Sequence, residues 1–321
     1  MSEFTRRNFI ATSTLMAAAL ANRPAEASAP TASKQGPGVY RYKIGSYQLT
    51  ALYDGTWFRK IDDKFVRNAT SALVDKALTD SFLPPGIVPT SFTPLLINTG
   101  AKLILIDTGT AGQLAPTTGL LADSFATAGI DPKSIDTILI SHFHPDHING
   151  IKDKDGKKVF PNAEILVPEP EWAYWMDDSK MRTAPAEMRP MFLNVRRIFA
   201  DIAKDVKRYA PGNMVASGIT SIAAYGHTPG HTAFAITSGN ESMLVLSDVT
   251  NHPWLFARHP EWQGIFDMDA NLAVTTRRRL LDRAVADKML VAGYHFPFPA
   301  SGHIVKAGSG YDLVPVMWQP L

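Results

Sequence analysis

The residues most able to do chemistry lie in one short segment, 141–150, which reads Ser-His-Phe-His-Pro-Asp-His-Ile-Asn-Gly. The apolar run 138–140 directly before it predicts a buried strand that ends in this polar cluster. Imidazole nitrogens and carboxylate oxygens are ligands that zinc takes at short bond lengths. Because the whole chain has only nine histidines, their density here indicates a metal site rather than a solvated polar loop. The four candidate ligands are His142, His144, Asp146 and His147.

The spacing of these four side chains indicates that one segment can serve two metal ions. His142 and His144 lie two residues apart, so on an extended segment they point to the same side. Pro145 turns the chain before Asp146 and His147, and it can aim that second pair at a different point. We therefore expect two neighbouring metal positions.

Three further candidate ligands share one feature, because each follows an apolar run that predicts a buried strand. Active-site residues of layered α/β proteins often gather at one end of the strands, so we expect these three to join the cluster. They are His227, Asp248 and His295, which follow the runs 215–224, 243–247 and 289–294.

The composition limits the chemistry and the fold. The chain has 321 residues, 45% of them apolar, which is enough for one large domain or two ordinary ones. It has no cysteine, so a metal must be held by nitrogen and oxygen ligands and no disulfide can stabilise the fold. After residue 35, no apolar run approaches the length of about eighteen residues that would predict a membrane span.

The N-terminal region resembles a twin-arginine export signal. It combines Arg6-Arg7, a weakly apolar stretch at 10–21, and the small-residue site Ala25-Glu26-Ala27. The alternative is an ordinary N-terminus that carries two basic residues. We expect a periplasmic or secreted protein with no membrane anchor after removal of the signal. The predicted organisation is a signal peptide at 1–27, a flexible leader at 28–38 and one folded domain at 39–321.

Hydrophobic patterning after residue 40 predicts strands and helices that interleave without the regular alternation of a doubly wound sheet. No linker-like change of composition interrupts them, so we expect one α/β domain in which two sheets pack together with helices outside. Strands are predicted at 40–53, 92–97, 103–106, 135–140, 165–167, 215–224, 233–237, 243–246 and 289–294, with a closing pair in 303–316. Helices are predicted within 60–82 and at 120–128, 169–176, 187–206 and 270–286.

The last predicted helix, 270–286, carries arginines that could suggest nucleic-acid binding. A solvated helix face is the preferred interpretation. The net charge of +2 also gives no electrostatic reason to expect a nucleic-acid partner. We expect all four side chains on the solvent side of the helix: Arg277, Arg278, Arg279 and Arg283.

Taken together, the motifs resemble the metallo-β-lactamase superfamily, whose signature is H-x-H-x-D-H. The resemblance extends over nearly the whole chain after residue 40, and the motifs occur in the family's order. It implies a four-layered αββα fold with two packed mixed sheets. Within the superfamily, the segments 107–112 and 294–316 are most similar to the exported methyl parathion hydrolase and lactonase-like group. The matching motifs are at 106–109, 142–147, 226–231, 247–248 and 295.

The resemblance implies two zinc ions, although manganese, iron or cobalt suits the same oxygen and nitrogen ligands. Three histidines would hold one ion: His142, His144 and His227. Three other side chains would hold the second: Asp146, His147 and His295. Asp248 would bridge both ions through its carboxylate.

Other polar residues are expected to support the site or to lie apart from it. Asp107 is expected to orient a ligand histidine or the strand turn, and His231 to form hydrogen bonds rather than bind metal. His252 and His259 are expected in a loop or pocket. His303 is expected either to form a hydrogen bond near the site or to belong to a turn.

The implied reaction is hydrolysis, in which a hydroxide that bridges the two metals attacks a carbonyl or phosphoryl centre. Asp146 and Asp248 are the expected catalytic residues, and Asp146 could also carry a proton to the leaving group. Aromatic and methionine side chains near the ligands favour a small hydrophobic substrate, such as a lipophilic lactone, aryl ester or phosphotriester. For any single one of them, ordinary core packing is the alternative. They occur in the segments 171–193, 254–266 and 296–298.

Four other functions remain open to test. An exported metallo-β-lactamase is compatible with the signal, and hydrolysis of nitrocefin would identify it. The twin arginine argues against a thioesterase of the hydroxyacylglutathione type and against a tRNA-processing nuclease. A binding or redox module that has lost catalysis is disfavoured by the complete ligand set. The pattern is also compatible with a homodimer.

Overall fold

The computed structural model of the protein describes residues 31–32, 35–36 and 38–321. Residues 37–321 form one compact unit. The predicted signal peptide and most of the predicted leader lie outside the described residues, so export stays a prediction. In the part of the chain that is described, no helix is both long enough and apolar enough to cross a membrane.

One seven-stranded sheet carries the ligand-rich segment 141–150. Its first half is antiparallel, and its last four strands are parallel, which brings their carboxyl ends to one edge. In spatial order the strands are β1 (Val39–Ile44), β2 (Tyr47–Leu52), β5 (Leu95–Asn98), β6 (Leu103–Ile106), β7 (Thr137–Leu139), β8 (Glu164–Pro168) and β9 (Lys207–Tyr209).

A second seven-stranded sheet carries the other candidate ligands. Neighbouring strands in this sheet are antiparallel except for one parallel pair, β13 (Glu241–Ser247) and β14 (Leu290–Gly293), whose carboxyl ends again lie at the same edge. In spatial order, the strands are β10 (Met214–Ala216), β11 (Ile219–Ala223), β12 (Thr232–Ser238), β13 (Glu241–Ser247), β14 (Leu290–Gly293), β15 (Ser301–Ala307) and β16 (Gly310–Pro315).

Helices cover the outer faces of the two sheets. Some are capped by side chains: Thr70 accepts from Leu73 N at the start of α1 (Ser71–Thr79), and Asp269 accepts from Leu272 N at the start of α7 (Ala270–Ala286). Helix α2 (Leu121–Ala128) ends at Gly129, whose φ of 70° is a left-handed conformation that glycine adopts without strain. The helices are α1 (Ser71–Thr79), α2 (Leu121–Ala128), α3 (Pro145–Ile148), α4 (Glu169–Trp175), α5 (Asp178–Thr183), α6 (Arg189–Phe199) and α7 (Ala270–Ala286).

Three hydrophobic layers hold these elements together, and they give the four-layered αββα arrangement that was expected. The inner faces of the two sheets pack on each other through side chains such as Ile104 and Phe234. Helices α2, α4 and α6 pack on the outer face of the first sheet, and α7 packs on the outer face of the second. Because both faces of each sheet are covered, many strands are apolar throughout instead of alternating.

A smaller unit lies beside the carboxyl edge of the strands. The antiparallel strands β3 (Gly55–Lys60) and β4 (Ile87–Phe92), between which α1 lies in the chain, form a separate two-stranded sheet. This sheet packs with α1 and with a short π-helical segment, Pro253–Ala257, around a fourth apolar cluster. The sequence patterns did not predict this two-stranded sheet.

Several element boundaries were predicted wrongly. The stretches 40–53 and 215–224 are each two strands, because Gly45 and Gly218 adopt φ values of 55° and 68° that allow tight turns. The predicted helix 187–206 is confined to α6, and α5 and β9 were missed.

Candidate metal centre

The candidate ligands gather at one edge of the two sheets because each follows the carboxyl end of a strand. His142 comes three residues after β7, Asp248 directly after β13, and His295 two residues after β14. Ser247 holds a positive φ of 48°, an unfavourable conformation for a residue with a side chain, immediately before Asp248. The local backbone therefore turns sharply where the ligand side chains leave the sheet.

Segment 141–150 divides its four ligands by a change in backbone conformation. His144 is extended and precedes α3, and Pro145 occupies the first helical turn, where its missing N–H costs no hydrogen bond. His142 lies before this turn, whereas Asp146 and His147 lie within it. The proline thus separates two pairs of candidate ligands.

The ligand atoms form two groups that share one carboxylate. Within each group, one candidate ligand atom from every residue lies within 4.8 Å of the others. The Asp248 carboxylate is central, since its Oδ2 lies 3.2 Å from Nε2 of His227 in the first group and 3.0 Å from Nε2 of His295 in the second. The first group is His142, His144, His227 and Asp248, and the second is Asp146, His147, Asp248 and His295.

Hydrogen bonds from the opposite ring nitrogens fix how the histidines face. Asp107 accepts from Nδ1 of His147 at 2.8 Å, and it also accepts from the Ser141 hydroxyl, which contacts Nδ1 of His142 at 3.0 Å. His295 donates from Nδ1 to the Ser91 carbonyl at 2.8 Å. In each case Nε2 is left to face the centre, and such outer contacts are a regular feature of metal-binding histidines.

Unpaired polar atoms at the centre are what a bound cation would satisfy. Nε2 of His142, Nε2 of His147 and Oδ1 of Asp248 are buried without a hydrogen-bond partner in the described chain. Nδ1 of His144 and Nε2 of His227 face each other at 2.9 Å, a distance that requires a proton or cation between two lone pairs. Buried polar atoms without partners are costly, so this arrangement fits metal ligands.

The pKa values of two candidate ligands are shifted in opposite directions. Burial lowers the pKa of His144 to about 3. At His227 burial acts in the same direction, but hydrogen bonds to Asp248 and Asp267 outweigh it and raise the pKa to about 9. A metal ion can replace such protons, because imidazole binds metal in its neutral form.

Comparison with known families agrees with this geometry. Residues 93–293, more than half of the chain, match the family model of the metallo-beta-lactamase superfamily. The chain belongs to the metallo-beta-lactamase superfamily. With its two groups of candidate ligands, it is a metallohydrolase of that superfamily.

Two solved structures share both the fold and a substantial part of the sequence. Hydrolase AbOPH of the beta lactamase superfamily is 30% identical, with a TM-score of 0.83, over 89% of this chain and 100% of its own. AidC, a dizinc quorum-quenching lactonase in complex with a product named as N-hexnoyl-L-homoserine, is 28% identical, with a TM-score of 0.84, over the same shares. A probable metal-dependent hydrolase from Staphylococcus aureus, 20% identical with a TM-score of 0.70 over 86% of this chain and 100% of its own, shares the fold. A comparison with curated protein sequences gives no match.

Arg277 was wrongly predicted on the solvated face of α7, because it is buried and supports His227 through Asp267. Asp267 accepts from Nδ1 of His227 at 2.9 Å, and Arg277 donates to the other oxygen of Asp267 at 3.1 Å. Arg277 is fully buried and also donates to the carbonyls of Val249, Pro260 and Trp262. The other three arginines of α7 are at least partly exposed, as predicted.

A second supporting residue, Glu171, was missed because no motif surrounds it. Its carboxylate is fully buried and accepts from Phe143 N at 3.0 Å, between two ligands of the first group. It also accepts from the Thr228 hydroxyl at 2.9 Å and from Gly230 N at 2.7 Å, directly after His227. Glu171 therefore joins the two ligand loops of this superfamily member.

The four remaining histidines take different positions. Both ring nitrogens of His231 are used within the protein, since Nδ1 donates to the Ala224 carbonyl and Nε2 accepts from Asp248 N. His252 is buried and lines the cleft above the ligands. His259 stacks on Trp262 with ring centroids 4.0 Å apart. His303 lies on β15 and contacts the Met289 carbonyl at 3.1 Å, among residues that do not line the cleft.

A cleft of about 510 Å³, measured out to its open mouth, lies above the ligand centre. One wall is the inner face of the two-stranded sheet of β3 and β4, where alternation along each strand places every second side chain on the same side. Leu114 and two aromatic side chains, Phe256 and Phe266, contribute to the rest. The side chains of this sheet that line the cleft are Trp57, Arg59, Val88, Thr90 and Phe92.

The aromatic residues predicted to line the cleft mostly lie elsewhere. Those of segment 171–193 pack in the core between the first sheet and its helices. Phe296 is buried under α7, and Phe298 contacts Tyr53. From the predicted segments, only Phe256 and Phe266 line the cleft.

Proposed function

We propose that the protein is a two-metal hydrolase, of the methyl parathion hydrolase and lactonase-like group, that cleaves small lipophilic lactones and related esters. The observation that carries the proposal is the pair of ligand groups joined by Asp248 at the floor of a mainly apolar cleft. Such a cleft suits a hydrophobic body with one reactive polar group.

The candidate ligands at the floor of the cleft have different roles in metal binding. His142, His144 and His227 would hold one zinc ion, and the pair Asp146 and His147 would hold the other together with His295. Two such ions, when bound, would lower the pKa of water towards neutrality and polarise the oxygen of a carbonyl or phosphoryl group. Asp248 would lie between them and hold both ligand groups in register.

Asp146 is the residue best placed to move a proton. It is the most exposed member of the two groups, with a side-chain exposure of 13%, and it lines the cleft. One of its oxygens is 3.2 Å from His147 and 3.4 Å from His295. The carboxylate would take a proton from the attacking water and pass it to the alkoxide that leaves, while the aromatic wall excludes bulk water from the reacting atoms.

The choice of lactone over other esters rests on similarity to AidC, which is described as a lactonase. Aryl esters and phosphotriesters share the need for a polarised centre and a good leaving group, so they are secondary substrates under this proposal. A β-lactam or a glutathione thioester is not the proposed substrate, because the similarity to AidC favours a lactone.

The test is a substrate panel with protein of known metal content. The panel contains N-hexanoyl-homoserine lactone, p-nitrophenyl acetate, methyl parathion, nitrocefin and S-lactoylglutathione. We expect two zinc ions per chain by mass spectrometry, the highest kcat/KM on the lactone, and loss of turnover after chelation.

Two variants control for general damage. His142→Ala should lose activity and zinc, whereas His303→Ala changes a histidine among residues that do not line the cleft and should retain both. No turnover of any substrate by protein with two bound zinc ions would reject the proposal. A preference for nitrocefin would replace it with a β-lactamase.

We also propose that residues 1–27 direct export of the folded protein. The proposal rests on Arg6-Arg7 and the Ala25-Glu26-Ala27 site. Mass spectrometry of the periplasmic fraction should find a chain that begins near residue 28, and replacement of both arginines by lysine should retain the full-length chain in the cytoplasm. Equal export of the two forms would contradict the proposal.

A further inference from the structure

Arg59 is the one arginine or lysine among the residues that line the cleft. It lies on β3 on the same face as Trp57, while Phe58 between them points the other way and is 60% exposed. The guanidinium carbon is 4.6 Å from the ring centroid of Phe266, 5.2 Å from that of Trp57 and 5.8 Å from that of Phe65. These distances are within the range of cation–π attraction.

The guanidinium has aromatic neighbours but no acceptor. Among the described residues, no side-chain hydrogen bond or ion pair of Arg59 is formed, in contrast to Arg277, which donates to three carbonyls and a carboxylate. Burial lowers the pKa of Arg59, and only the more distant charge of Asp62 acts in the other direction. Contacts with the faces of aromatic rings thus hold the Arg59 side chain in place.

Cation–π contacts leave the hydrogen-bonding capacity of the guanidinium unused. An arginine has five N–H donors in its plane, and a ring that contacts the face of the group does not accept from most of them. The Arg59 side chain is only partly buried, and its nitrogens are not among the buried polar atoms without a partner, so water accepts from them. A ligand oxygen that reaches this point of the cleft would replace that water and accept from a charged donor.

We propose that Arg59, with Trp57, Phe65 and Phe266, forms a subsite that binds a carbonyl or carboxylate oxygen of the substrate outside the bond that is cleaved. The proposal rests on the proposed function, because it assigns the substrate class of the same cleft. The preferred substrate is a lactone or ester whose side chain carries an amide or acid group. Simple alkyl lactones lack that acceptor and bind less tightly.

The kinetic test compares substrates that differ in the side-chain amide. N-hexanoyl-homoserine lactone is paired with α-heptyl-γ-butyrolactone, which has the same ring and a side chain of equal length without the amide. We expect Arg59→Met to raise KM for the first by about tenfold, the effect of one lost hydrogen bond to a charged donor, and to leave KM for the second unchanged. The value of kcat should change little for either, because the subsite does not contact the reacting atoms.

Two further variants and one further substrate complete the kinetic arm. Arg182→Met removes an exposed arginine on α5 and should change neither KM. Arg59→Lys keeps the charge but loses the planar donors, so it should restore binding of a lactone with a carboxylate side chain more than that of the amide. A stronger effect of Arg59→Met on the carboxylate substrate identifies an anion subsite, and a stronger effect on the amide identifies a neutral one. Equal KM changes for the alkyl and amide lactones, or no change in either, overturn the proposal.

A binding measurement separates this proposal from the proposed function. The γ-lactam analogues of both lactones keep the shape but resist hydrolysis, so calorimetry on the zinc-loaded protein measures their binding directly. Weaker binding of the amide-bearing lactam alone in Arg59→Met supports the subsite even if no lactone is turned over. Turnover of lactones with lactam affinities that do not depend on Arg59 leaves the hydrolase function intact and refutes the subsite.

Discussion

The floor and the wall of the cleft are built in different ways. The floor consists of side chains that follow the carboxyl ends of strands in two large sheets, and most ligand histidines have a second hydrogen bond that fixes the ring. The wall consists of the separate two-stranded sheet of β3 and β4 and the loop residues near it. These contribute aromatic side chains and one arginine that has no acceptor among the described residues. A rigid floor suits a fixed reaction, whereas a wall outside the main sheets can change without disturbing it. This difference predicts that floor variants lower kcat and metal content, and that wall variants change KM.

The largest effect is expected at Asp248, because it is the carboxylate that both ligand groups share. Asp248→Asn keeps the shape but removes the charge, and it should lower kcat/KM by about a thousandfold, since metal ions contribute several kcal/mol to such reactions. Zinc content should fall below two per chain. Two tightly bound zinc ions and kcat/KM within tenfold of the wild type would show that the floor does not depend on this carboxylate.

Asp267, through which Arg277 supports His227, should give the next largest effect. Asp267→Asn removes the charged acceptor of His227 Nδ1 and leaves the buried Arg277 without its ion-pair partner. We expect zinc affinity or kcat to fall by about 10- to 100-fold, as is typical for partners of metal-binding histidines. Competition with a chromogenic chelator measures the affinity. Asp282→Asn, which breaks an exposed pair with Lys306, is the matched control and should be near neutral.

A smaller catalytic effect, together with a loss of stability, is expected at Glu171. Glu171→Gln preserves the volume, but one of its two oxygens becomes an NH2 group that cannot accept from the donors now bound. Each unsatisfied buried group costs about 1–3 kcal/mol, so the melting temperature should fall. Zinc affinity at the first ligand group should fall more than at the second, because the Glu171 carboxylate joins the loops of His142, His144 and His227. Equal weakening of both, measured by cobalt absorption spectra, would mean that Glu171 acts only on global stability.

The same contrast explains which parts could be predicted from the sequence. The floor could be predicted because its candidate ligands are a dense local motif and three residues that follow apolar runs. Arg277 was placed wrongly because helical periodicity defines the faces of α7 but does not show that a neighbouring loop, which contains Asp267, covers one of them. No local pattern signals the role of Glu171, because its donors at Phe143, Thr228 and Gly230 are brought to it only by tertiary structure. The wall was missed because β3 is short and carries Arg59 among its aromatic residues. The many aromatic residues of 171–193 were predicted to contact the substrate instead, although they pack in the core.

The smallest effect is expected at the wall residue Leu114, which is half-buried and outside the hydrophobic clusters that hold the fold. Leu114→Ala removes apolar surface that a substrate side chain would cover, and each buried methylene is worth about 0.8 kcal/mol, or roughly fourfold in affinity. KM for long-chain lactones should therefore rise about four- to tenfold, with little change for short-chain ones and with kcat and zinc content unchanged. Leu193→Ala, at a leucine of α6 that is 56% exposed, is the control and should leave KM unchanged at every chain length. A fall in kcat at Leu114→Ala with constant KM would place this side chain functionally with the floor, and the division between a reactive floor and a selective wall would then be wrong.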